Sequence, residues 1–300
     1  MRTKTYLFAL MAMALTLGSC SDNENGIGGE TSKYITVSTS IGNMTRVATD
    51  EKGGQTFEEG DEISVYAWTG DATVAPETRE RVVNNAINKL TNGSWVSTPQ
   101  MLWKNNRDKH YFIGVYPTAA ISDLSAGEYT FDETKQVESD LLVAVNKDGL
   151  SYNVDEQQPV PLTFTHVMAK LVVNLIYKNQ WGGIPTVEKV VVGNAAKEAT
   201  INYLTKVVTP STTAKEDFSL PEITENTKYV SVIIPQEEVT QLTIVIGGKN
   251  FVYDNGTPFK LESGKITTVN LEVGRDEIKL GDVKITDWEN GSTFSGEALN

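Results

Sequence analysis

The stretch Pro159-Val160-Pro161-Leu162-Thr163-Phe164-Thr165-His166-Val167-Met168-Ala169-Lys170-Leu171-Val172-Val173-Asn174-Leu175-Ile176-Tyr177 decides how this chain is read. Val167, Ala169, Leu171, Val173 and Leu175 alternate strictly, the period of a strand with one buried face. Leu162, Phe164 and Met168 occupy the opposite phase. A one-residue slip exchanges the two faces of a strand, so either the first half faces a different core or a bulge intervenes. Pro159 and Pro161 withhold two backbone N–H donors and stiffen the chain, which makes Gln157-Gln158-Pro159-Val160-Pro161 the best domain boundary.

The period of two recurs on both sides. Ile35, Val37 and Ile41 share one face of a strand, with Thr36, Ser38 and Ser40 on the other. Further strand signals lie at Ile63 to Trp68, His110 to Tyr116, Asp140 to Val145 and Val187 to Val192. They continue at Tyr229 to Ile234, Leu242 to Ile246, Phe251 to Tyr253, Ile266 to Val273 and Ile278 to Ile285. Turns punctuate them at Asn92-Gly93, Asp148-Gly149 and Asp254-Asn255-Gly256. Only Glu77 to Asn92 could be a short helix. The expectation is an all-β chain of two tandem β-sandwiches, at 33–158 and 159–300.

The chain begins with Arg2 and Lys4, an apolar run from Tyr6 to Leu17, and Leu17-Gly18-Ser19-Cys20, which holds the one cysteine of the 300 residues. A basic start, an apolar stretch too short to span a bilayer and small residues before a cysteine read as a bacterial lipoprotein signal over 1–19, with acylation at Cys20. More than one acyl chain on that residue makes the anchor stable. Residues 20–32, polar and glycine-rich, read as a flexible tether. No later apolar run approaches the roughly 20 residues of a transmembrane helix.

Composition excludes several functions. A net charge of -13 argues against nucleic acid, whose phosphates need clustered Lys and Arg. A lone cysteine allows no intramolecular disulfide and no cysteine-based zinc site. His110 and His166, the two histidines, both sit in strand-like apolar segments, where a packing role is the better reading. No nucleophile elbow, phosphate loop or metalloprotease motif is present, so neither catalysis nor a metal or other cofactor is expected. Trp95, Trp103 and Trp288 read as packing residues, and Gly60-Asp61 as a tight turn whose carboxylate binds nearby backbone N–H groups.

Four segments carry a resemblance. Phe57-Glu58-Glu59-Gly60-Asp61-Glu62-Ile63-Ser64-Val65, Asp140-Leu141-Leu142-Val143-Ala144, Leu162 to Leu171 and Ile285-Thr286-Asp287-Trp288-Glu289-Asn290-Gly291 stand in this order behind the lipobox. Together they resemble the fimbrillin family of Bacteroidetes, the Mfa-like lipoproteins that build or decorate type V pili. Cys20-Ser21-Asp22-Asn23-Glu24 is similar to the tag that sends such lipoproteins to the outer face of the outer membrane. The resemblance implies transthyretin-like sandwiches, a surface or fimbrial location, and other fimbrial subunits or a host or bacterial surface ligand as partners.

It also implies an assembly route. In stalk members of the family a protease cuts after an arginine placed like Arg46, making the equivalent of Val47 the new N-terminus. The first strand, here the one with Ile35, Val37 and Ile41, then leaves, and a C-terminal segment of another subunit fills its place. The corresponding donor here carries Ile278, Leu280, Val283 and Ile285. Arg46 reads equally well as a solvated loop residue. A different class of function, a monomeric glycan-binding lipoprotein presenting Trp68, Trp95 or Trp181 to sugars, stands as the alternative.

Overall fold

The computed structural model describes residues 33–42, 56–153, 158–253 and 258–288. Cys20, Arg46, Val47 and the turn at Asp254-Asn255-Gly256 lie outside them. In chain order the strands begin with β1 (Val37–Ile41), β2 (Glu62–Thr69), β3 (Arg81–Thr91), β4 (Ser94–Thr98), β5 (His110–Tyr116), β6 (Gly127–Thr130), β7 (Leu142–Leu150) and β8 (Val160–His166). Next come β9 (Ala169–Tyr177), β10 (Val187–Ala196), β11 (Glu198–Asn202), β12 (Val207–Pro210), β13 (Lys215–Ser219), β14 (Glu222–Thr224) and β15 (Lys228–Ile233). The last are β16 (Gln236–Val239), β17 (Gln241–Ile246), β18 (Lys249–Tyr253), β19 (Phe259–Leu261), β20 (Lys265–Val273) and β21 (Ile278–Asp287). Among the described residues the helical content is one 3-10 turn, Thr78–Glu80. The all-β reading therefore holds.

The strands form sandwich-like sheets. The largest has seven strands in the order β1-β8-β7-β5-β2-β3-β4. A five-stranded sheet, β14-β15-β9-β20-β21, and a four-stranded one, β13-β10-β17-β18, carry most of the later chain. The phase change in the deciding stretch is a change of core. Val160, Leu162 and Phe164 of β8 join Ile63, Val65 and Phe112 in a smaller apolar cluster. From Val167 onward, Ala169, Leu171, Val173 and Leu175 join a larger one. No bulge interrupts β8 against either neighbour. Pro161 is tolerated because the β7–β8 ladder runs only from Leu142↔His166 to Ala144↔Phe164, leaving it beyond the end.

The expected helix at Glu77 to Asn92 is instead the 3-10 turn followed by β3. Buried Val83 and Ala86 are three apart, a helical spacing, because the register against β2 shifts between Ala67↔Val83 and Val65↔Ala86. Asn85 sits in this shift with a φ of 55°, a left-handed conformation that Asn tolerates. The bulge moves the apolar phase by one residue and so imitates a helix. The turn at Gly60-Asp61 forms as expected: Gly60 has a φ of 97°, and the Glu58 N–H donates to Asp61 Oδ2 at 2.7 Å.

His166, where the chain leaves the seven-stranded sheet, meets the end of β21. Its Nδ1 is 2.8 Å from Asp140 Oδ1 and its ring stacks on Trp288, centroids 4.0 Å apart and planes within 5°. The Trp288 N–H donates to the Gly264 carbonyl at 3.0 Å, and Lys170 Nζ lies 5.2 Å from the indole centroid. Burial pushes the Lys170 ammonium down to about 8; Lys228 adds to this and Asp140 opposes it.

Two outcomes are expected. A Cβ at Gly114 in β5 would stand 2.6 Å from Phe164 Cζ and 3.1 Å from Leu162 Cδ1. Gly114→Ala should therefore lower stability by about 1–3 kcal/mol in urea unfolding, and Phe164→Leu should relieve part of the loss. For Lys170, the folded pKa lies below the free value, so between about pH 8 and 10 the unfolded chain binds more protons. The stability of the wild type relative to Lys170→Met should rise across that window, and a flat difference would mean that Lys170 is solvated.

Candidate functional site

β1 is an edge strand whose alternation fixes what it does. It runs parallel to β8 in an unbroken register from Val37↔Val160 to Ile41↔Phe164. Backbone bonds bracket the pair: the Val160 N–H donates to the Thr36 carbonyl and the Gly42 N–H to the Phe164 carbonyl, both at 2.8 Å. Ile35, Val37 and Ile41 point inward and are 2%, 6% and 7% exposed. Burial of such side chains contributes about 2 kcal/mol each.

The residues just before β1 tie it to the opposite edge of the same sheet. Ile35 N–H donates to the Met101 carbonyl at 2.9 Å, Trp103 N–H to the Lys33 carbonyl at 3.2 Å, and Tyr34 and Leu102 form an antiparallel bridge. These contacts lie just after β4, so the chain around β1 touches both ends of the seven-stranded order. Deeper in, Thr39 takes the next inward position after Val37. Its Oγ1 accepts the Trp95 indole N–H at 3.0 Å. Ser40, facing the other way, bonds Thr163 across the strand pair at 3.2 Å.

The site has an aromatic floor. Phe57 meets Trp95, Tyr116 and Phe164 edge to face at 5.3, 5.4 and 5.1 Å. Trp103 meets His110 and Phe112 the same way at 5.0 and 5.7 Å. Such pairs add about 0.5–1.5 kcal/mol each beyond area burial. The role of Trp95 and the closing part of Met101 and Leu102 were not apparent in the sequence. The one available signal was Thr39, a hydroxyl in the apolar phase between Val37 and Ile41.

The candidate donor residues lie elsewhere. Ile278, Leu280, Val283 and Ile285 are on β21, at the edge of the five-stranded sheet, paired with β20 from Val273↔Ile278 to Lys265↔Asp287. The first three pack half-buried against the larger cluster, whereas Ile285 is 39% exposed. A register shift at Asn270/Leu271 lets Leu280 and Val283 share a face although three positions apart. Gly281 occupies the shift, and a Cβ there would approach the Asn270 carbonyl to 3.1 Å. The structure does not bring β21 to β1.

The other sequence candidates are absorbed by packing. His110 Nε2 accepts the Lys104 N–H at 3.1 Å, its Nδ1 faces the Asp108 carbonyl at 3.1 Å, and burial lowers its pKa. Trp68 is buried, with its N–H on the Asp71 carbonyl at 2.9 Å, and offers no platform to a sugar. Trp181 is half-buried against Phe251 and donates to the Val273 carbonyl at 2.9 Å. Among the described residues no group of three or more His, Cys, Asp and Glu could hold a metal ion. No described helix is long and apolar enough to cross a membrane.

Comparison with known proteins agrees with this architecture. A candidate cell adhesion protein of Bacteroides ovatus superposes with a TM-score of 0.64 at 18% identity, covering 85% of this chain and 98% of its own. One from Bacteroides uniformis gives 0.63 at 19%, with coverage of 85% and 98%. A fimbrial protein of Bacteroides vulgatus gives 0.51 at 13%, with coverage of 84% and 99%. No curated protein matches the sequence. The sequence model of the fimbrillin-like family matches residues 45–288, which take in every strand from β2 to β21, and the chain belongs to that family.

Proposed function

We propose that this chain is a surface lipoprotein that serves as a structural or accessory subunit of a fimbrium in cell adhesion, and that it joins its neighbours by exchanging its first strand. Its membership of the fimbrillin-like family and its likeness to fimbrial and candidate adhesion proteins support a fimbrial role without catalysis. The observation that carries the exchange is the position of β1. It is five residues long, its backbone pairs along its length with β8 alone among the described strands, and it is joined to the rest of the chain through 43–55, which contains Arg46.

In this reading the precursor is acylated at Cys20 and held at the outer membrane. Hydrolysis of the Arg46–Val47 bond frees the segment carrying Ile35, Val37 and Ile41. Its loss leaves the β8 edge with unpaired backbone groups and the smaller cluster open to water, a state that an incoming strand repairs. The same cut separates the chain from its lipid, so one event converts an anchored subunit into one free to assemble. An uncut chain keeps both its lipid and its own β1, and would act as an anchor. The glycan-binding alternative finds little support in tryptophans that are buried or half-buried with their N–H groups engaged.

The test is the N-terminus, read by mass spectrometry on protein sheared from cells and on protein left in the outer membrane. Sheared material is expected to begin at Val47 and membrane material at acylated Cys20. Uniform retention of 34–41 would overturn the exchange. Separately, Cys20→Ser should move the protein out of the membrane fraction, and unchanged fractionation would remove the lipid anchor from the proposal.

A further inference from the structure

The groove beneath β1 has a readable side-chain code, and the C-terminal strand of this chain does not satisfy it. Resting on the strand-exchange reading above, we infer that the groove takes a strand from a different protein, with the pattern apolar-x-apolar-x-acceptor-x-apolar, and rejects a second copy of this chain.

The code is written by the resident strand. Four inward positions follow one another at strict two-residue steps, occupied by Ile35, Val37, Thr39 and Ile41. Three are closed apolar pockets, 2–7% exposed. The third in order is polar, because the Trp95 N–H enters the groove and takes the Thr39 hydroxyl as its acceptor at 3.0 Å. An incoming strand without an acceptor there would strip Trp95 of its bond, and one with a charge at an apolar position would bury that charge unpaired. The unbroken β1–β8 register leaves no bulge to absorb a mismatch.

The C-terminal segment of this chain fails in every register. Its apolar residues fall into two phases, Ile278 and Leu280 in one, Val283 and Ile285 in the other, and they share a face only through the bulge at Gly281. Straightened, the first phase reads Ile278-x-Leu280-x-Asp282-x-Lys284 and the second Val283-x-Ile285-x-Asp287-x-Glu289. Each supplies two apolar side chains and an acceptor, then places a charge where Ile41 is buried. Reversing the direction does not help, since no four alternate residues from Gly274 to Asn300 combine three apolar side chains with an acceptor in the required place. Self-polymerisation through this groove is therefore disfavoured by side-chain chemistry, and the chain fits a tip or adaptor position better than a repeating stalk.

Peptide exchange tests this in the full mature chain with a specific protease sequence placed within 43–55, so that nicking does not depend on Arg46. A labelled peptide of residues 33–42 should exchange into the nicked protein, followed by fluorescence anisotropy. Its Thr39→Ser form should bind within a few-fold, and its Thr39→Val form about tenfold or more weaker. Trp95→Phe in the protein should erase that discrimination. A peptide of residues 276–288 should fail to compete, whereas its Lys284→Ile form should gain competition. If the unaltered C-terminal peptide competes as well as 33–42, or Lys284→Ile gains nothing, the inference falls while strand exchange stands. If 33–42 itself does not exchange, strand exchange falls, and the inference with it.

Discussion

The smaller core depends on the chain around β1, whose backbone is bonded to β8 on one side and to Met101 and Trp103, beyond β4, on the other. The β1 ladder with β8 and the Ile35 and Trp103 backbone bonds beyond β4 close the seven-stranded order over Phe112, Leu162 and Phe164. Val37 and Ile41 of this five-residue strand, with Ile35 just before it, thus complete a core to which five other strands contribute. A strand so short cannot be stable alone, and the core is not complete without it. That mutual dependence makes the groove a natural place for another strand to act.

The edge at β21 is protected differently. β21 closes one side of the five-stranded sheet, and its outward positions carry Lys279, Asp282 and Lys284, charges that discourage edge-to-edge pairing. Asp282 accepts from Asn270 at 2.6 Å, and the Gly281 bulge bends the strand away from a flat template. The strand ends at Asp287, and the next residue, Trp288, stacks on His166 where the chain passes between its two cores. One edge is guarded by occupation and the other by charge and shape, and the two strands are therefore not interchangeable.

Most of the strands were legible because half-buried strands carry their own signature of alternating apolar and polar residues. β20 shows it without interruption from Thr267 to Val273, whereas β9 keeps Ala169, Leu171, Val173 and Leu175 in one phase but also buries Lys170 and Val172 in the other. β3 did not, because a bulge at Asn85 put Val83 and Ala86 at helical spacing. Periodicity reports local geometry and cannot distinguish a shifted strand from a turn of helix when both produce the same spacing.

The sequence by itself determined the all-β class, the faces to which Ile35, Val37 and Ile41 belong, and the presence of a phase change between Phe164 and Val167, which the structure resolves as a change of core. Each of these follows from side-chain polarity at fixed spacing along one segment. The tertiary structure alone decided that Val160–His166 stays with the N-terminal strands, that β1 lies parallel to it, and that Trp95 reaches Thr39 from 56 residues away. Backbone N–H and C=O groups are the same in every residue, so which edge pairs with which is fixed only when the distant parts of the chain compete for the same bonds.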